Sequence, residues 1–200
     1  MGQRLVVTIK HDSKDIAKIY YHWSAYTMSA LYKTKELVNF IYNRIDETKD
    51  DMLLRLIHFC YANGGGIRGD DYEFKYITNL YPGASFKDSG YSRNNGLIAL
   101  SERGMSELQG WSEGDVTIDI DEDVIEFGVC GWYESLLEYN EQRSEWDEEW
   151  TNGIAIQDVP DIGYDLGHIA VEELNDVIAV MDEVDCFIVR NGHEVFELIA

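Results

Sequence analysis

Three pairs of β-prone runs, each broken by a short polar turn, constrain this chain most, because they demand an antiparallel sheet that the remaining segments must cover. The first pair is "RLVVTIK" (4–10) and "DIAKIYYHW" (15–23), separated by "HDSKD". The second lies in "DVTIDIDEDVIEFGVC", where Val116, Ile118 and Ile120 point one way and Asp115, Thr117, Asp119 and Asp121 the other. The third is "CFIVRNGHEVFELI", whose Asn191-Gly192 pair is a type I′ turn signal.

Helical patterns fill the space between. Ser24 reads as the N-cap of a long helix whose apolar positions are Met28, Leu31, Leu37, Val38, Ile41, Tyr42 and Ile45. "ETKDDMLLRLIHFCYANGGG" reads as a second helix, with acids near its start and Asn63-Gly64 near its stop. "DDYEFKYITNLYP" is a third, ended by Pro82, and "SERGMSELQGW" a short one after the strand "LIAL" (97–100). Two more are expected over 133–150 and about 169–183. The fold class is α+β: antiparallel β-hairpins with packed helices. The Gly-, Ser- and Asn-rich stretch within 82–96 is the best boundary. It divides an N-terminal hairpin plus helices (1–85) from an acidic α+β region (86–200), unless the two form one continuous domain.

Apolar residues make up 45% and aromatics 12%, a composition that supports a core. Cys60, Cys130 and Cys186 are odd in number, far apart and in apolar surroundings, so reduced thiols are expected rather than disulfides or zinc ligands. The opening residues lack a secretory pattern, and no apolar run approaches the ~20 residues of a membrane helix. A cytoplasmic location is the expectation.

The charge is lopsided. Residues 1–100 carry 13 basic and 11 acidic side chains, a net of +2, whereas 101–200 carry 3 and 27, a net of −24. Direct binding to nucleic acid or to an anionic membrane is disfavoured, because both need clustered Lys and Arg. A basic partner is favoured. Residues 133–150, "YESLLEYNEQRSEWDEEW", hold seven of the acids and one base. On a helix, Glu134, Glu138, Glu141, Glu145 and Glu148 or Glu149 fall on one face about 5–6 Å apart, a spacing comparable with that of backbone phosphates. With Asp115, Asp119 and Asp121 they form the expected partner-binding surface.

Signatures of chemistry are sparse. "NGGGIRG" (63–69) follows a helix and lacks a P-loop ending, so it reads as a helix-terminating loop. "DIDED" (119–123) has the alternating acids that open a calcium loop, but Val124 stands where glycine is required and the distal Glu is absent. It reads as a hairpin tip with solvated acids. His11, His22, His58, His168 and His193 form no metal-binding pair, and no nucleophile elbow exists. His58 and Cys60, two apart on a helix, do not meet. No cofactor is expected, and a binding protein is favoured over an enzyme.

The stretches "MGQRLVVTIKHDSKDIAKIYYHWSAYT" and "SRNNGLIALSERGMSELQGWSEGDVTIDIDEDVIEF" resemble uncharacterised proteins of phages and prophages of Gram-positive bacteria. The resemblance covers about half the chain and carries over no functional residue. It implies a context in which small acidic proteins bind and disable host nucleases or defence complexes, as anti-CRISPR and anti-restriction proteins do. The expected function is therefore inhibition of a basic, nucleic-acid-binding host or defence protein by charge mimicry. Two alternatives are a metal-dependent enzyme, with Asp119, Asp121 and Asp123 as first suspects, and a self-associating module using Trp111, Trp132, Trp146 and Trp150.

Overall fold

The computed structural model describes residues 3–43, 47–68, 96–129 and 167–182. The first hairpin is β1 (Leu5–His11) and β2 (Lys14–Tyr21), closed by a turn at residues 12–13 that is tighter than the five-residue break expected. After β2 come α1 (Thr27–Tyr42), α2 (Lys49–Ala62), β3 (Gly66–Ile67), β4 (Leu97–Ala99) and α3 (Glu102–Gln109). The second hairpin is β5 (Gly114–Asp119) and β6 (Val124–Gly128). It is followed by β7 (His168–Ala170), a 3₁₀ turn at Val171–Glu173, and α4 over 174–182.

The described strands form one seven-stranded sheet in the order β3-β4-β2-β1-β5-β6-β7. It is mostly antiparallel, with parallel pairs at β1–β5 and β3–β4. Strands from both sides of residues 82–96 thus share it. β1 is central, and Leu5, Val6, Val7 and Ile9 are all fully buried, because an interior strand is covered on both faces. β5 alternates instead: Val116 and Ile118 are buried while Asp115, Thr117 and Asp119 are partly exposed, as its sequence pattern requires.

One face carries the larger core. Leu5, Val7, Ile9, Ile19, Val116, Ile118 and Ile125 meet the apolar stripes of α1, α2 and α4 there. The other face carries a smaller cluster, in which Met105 and Leu108 of α3 cover Val6, Tyr20, Leu97 and Ala99.

Two helix starts differ from the sequence expectation. Ser24 is not the cap of α1: the backbone N–H groups of Ser24 and Ala25 donate to the Gln3 carbonyl, and the helix starts only after Tyr26, its N-cap. The expected helix over 169–183 begins later, because 168–170 pair with β6 as a strand. α2 agrees well, with the Thr48 hydroxyl accepting from the Asp51 amide and Gly64 at φ 79° turning the chain into β3. "NGGGIRG" is therefore part strand and not only a loop. The third helix expected at 70–82, the acidic helix at 133–150 and the C-terminal hairpin lie outside the described residues.

Candidate metal centre

Parallel pairing of β1 and β5, in register from Leu5↔Gly114 to Lys10↔Asp119, brings both hairpin turns to the same end of the sheet. Each turn is built by aspartate. In the first, Asp12 and Ser13 hold φ 54° and 59°, the two left-handed central positions of a type I′ turn. Asp tolerates that conformation better than most residues. In the second, the Asp119 carboxylate accepts from the amides of Asp121 (3.2 Å) and Glu122 (3.3 Å), folding the chain over its own side chain. Asp123 follows at φ 53°.

The alternating acids of "DIDED" diverge. Asp119 accepts from Lys10 Nζ at 3.0 Å, Asp121 bonds His11 Nδ1 at 2.7 Å, and Asp123 accepts from the Tyr42 hydroxyl at 2.9 Å. They are not merely solvated, and of the three first suspects of the metal alternative only Asp121 joins a donor cluster among the described residues. The Lys10 bond holds the Asp119 carboxyl below its usual range, and the His11 bond, helped by the amides of Ser13 and Asp12, does the same for Asp121. Burial, then the bond to Asp123, raises the Tyr42 hydroxyl.

What gathers instead is His11, Asp12 and Asp121, each offering one ligand atom, with these atoms all within 4.8 Å of one another. His11 is partly buried and the two aspartates are exposed. One imidazole nitrogen and two carboxylates, each about 2.0–2.2 Å from an ion, form a donor set suited to a divalent cation. The ion would replace the hydrogen shared by His11 and Asp121. The Ser13 amide, 3.3 Å from Asp121 Oδ2, steers the carboxylate so that Oδ1 faces the histidine.

A second polar group lies on the α3 face. Lys18 Nζ donates to Thr8 Oγ1 (2.9 Å) and Gln109 Oε1 (2.7 Å) and sits 3.2 Å from Asp15. Lys18 thus braces β2 against β1 and α3. Asp115 Oδ1 accepts from Gln109 and Ser112, both at 2.8 Å. Nearby, Trp111 packs edge-on against Tyr20, whose hydroxyl lies 2.7 Å from His22 Nδ1.

Of the residues expected to meet a partner, Asp115, Asp119 and Asp121 are all tied to neighbours within the chain, and Glu134, Glu138, Glu141, Glu145, Glu148 and Glu149 lie outside the described residues. Trp111 is partly buried and packs against the smaller core cluster; Trp132, Trp146 and Trp150 lie outside the described residues. His58 is exposed and Cys60 buried on opposite sides of α2, as their spacing implied. His11 and Asp12 escaped the sequence reading because no motif links them to Asp121, 110 residues from His11. The available signal was two hairpins whose turns both carry His or Asp. Among the described residues no helix is long and apolar enough to cross a membrane.

Comparison with known proteins gives no match: no family fits the chain, and neither a curated protein nor a solved structure matches it.

Proposed function

We propose that the protein works through a divalent cation held between its two hairpin turns by His11, Asp12 and Asp121, in the manner of a metal-dependent enzyme. The observation that carries this reading is the convergence of three donor atoms within 4.8 Å from turns far apart in sequence. Three protein donors leave coordination positions for water or substrate, and a bound cation supplies Lewis acidity there. Calorimetric titration of the chain with Zn²⁺, Mn²⁺, Mg²⁺ and Ca²⁺ tests the reading. Saturable binding of at least one of them, weakened at least about tenfold in Asp121→Asn, is expected. Equal binding by the variant, or no binding at all, contradicts it.

A second reading is favoured by the charge partition, −24 in residues 101–200 with 3 basic and 27 acidic side chains. In it the protein is a phage-type inhibitor whose acidic surface imitates nucleic acid and occupies the groove of a basic host or defence protein. Asp115, Asp119 and Asp121 already have intramolecular partners, so this surface rests on Glu134, Glu138, Glu141, Glu145, Glu148 and Glu149. A partner retained from lysate at low salt, released at high salt, and lost when the first four are changed to Gln is the expected outcome.

A further inference from the structure

Resting on the cation reading, we infer that the site selects a nitrogen-accepting transition ion of the Zn²⁺ type over Ca²⁺ or Mg²⁺, and holds it with an open coordination position. The acidity of the β5–β6 turn suggests calcium, but the geometry draws the oxygens away. Ca²⁺ needs 6–8 oxygen ligands, often with a bidentate carboxylate. Asp119 is committed to Lys10 and to two amides of its own turn. The Asp123 side chain faces Tyr42, and its carbonyl accepts from Val171 at 2.9 Å. The Lys10 carbonyl accepts from Ile120 at 3.1 Å. Asp121 turns Oδ1 toward His11 while Oδ2 accepts from the Ser13 amide at 3.3 Å.

The remaining donors are one imidazole nitrogen and the carboxylates of Asp12 and Asp121. Ca²⁺ takes oxygen and gains little from the imidazole. Mg²⁺ is bound through oxygen and gains little from imidazole. Zn²⁺ accepts nitrogen and oxygen at tetrahedral spacing, and three such donors leave its fourth position to water or an anionic oxygen ligand. Asp12 and Ser13, in left-handed backbone conformations, form the turn that directly follows His11.

The test is a competition between cations on the whole chain. Zn²⁺ should bind at least about tenfold more tightly than Ca²⁺ or Mg²⁺, and His11→Gln should lose most of that margin. Equal affinity for Ca²⁺ and Zn²⁺, both weakened by Asp121→Asn, overturns the selectivity while sparing the cation reading. Binding of no cation removes both. Zn²⁺ affinity unchanged in His11→Gln assigns the ion to other histidines and overturns the inference. Should His11→Gln fail to fold by circular dichroism, wild-type imidazole resonances report instead: those of His11 should move with Zn²⁺ and stay with Ca²⁺. For the open position, Co²⁺ replaces Zn²⁺, and its visible absorption should change on adding azide. A spectrum indifferent to azide contradicts an open position.

Discussion

At the residue scale, burial and pairing decide which side chains can react. Cys60 is completely buried, and burial pushes its thiol up to about 12, so no thiolate is available at neutral pH. In a Cys130→Ser, Cys186→Ser background, a thiol reagent should leave Cys60 unmodified in the native state and label it on unfolding; rapid native labelling would contradict this packing. Glu113 and Asp119 lie below their ordinary values of 4.5 and 3.8, because Arg4 and Lys10 respectively bond them. A depressed folded-state value means that the stabilisation is present above the ordinary value and lost as pH falls through the folded one. The urea midpoint should therefore drop between roughly pH 5 and 3. Asp119→Asn should flatten that drop, and an unaltered profile would show that the Lys10 pair is too solvated to matter.

At the element scale, the hairpins were legible because their alternation is local, whereas the contact between them was not. Val116 and Ile118 announce a half-buried strand on their own, but nothing in "RLVVTIK" states that it lies parallel to β5. That one pairing assembles the candidate site, which is why Asp121 stands out in the sequence while His11 and Asp12 do not. Ser24 failed as a helix signal for a similar reason: a tertiary bond from its amide to Gln3 outranks a local cap. The same pairing places Gly114 so close to its neighbours that a Cβ would stand 2.9 Å from Ala25 Cβ and 3.1 Å from Val129 Cα. Gly114→Ala should destabilise the fold by about 1–3 kcal/mol in denaturant unfolding. Ser13→Gly should do the opposite, gaining up to ~1 kcal/mol by relieving a left-handed serine. A loss in Ser13→Gly would mean that the turn is not type I′ in solution.

At the scale of the whole molecule, the described residues form a seven-stranded sheet with helices on both faces, and the acidic half of the chain supplies an unbalanced field. The composition showed the field directly; the hydrophobic pattern showed the class of fold. Neither revealed that the aspartates of the 115–123 hairpin are already bonded to Lys10, His11, Tyr42, Gln109 and Ser112. Among the described residues this internal pairing leaves one candidate cation position, at the junction of two turns. The most direct measurement is a backbone amide NMR map recorded while Zn²⁺ is added to the whole chain. Saturable shifts should concentrate at residues 10–14 and 119–123 and be absent from the same residues in Asp121→Asn. Shifts centred elsewhere, for example along 133–150, or no saturable shifts at all, would contradict it.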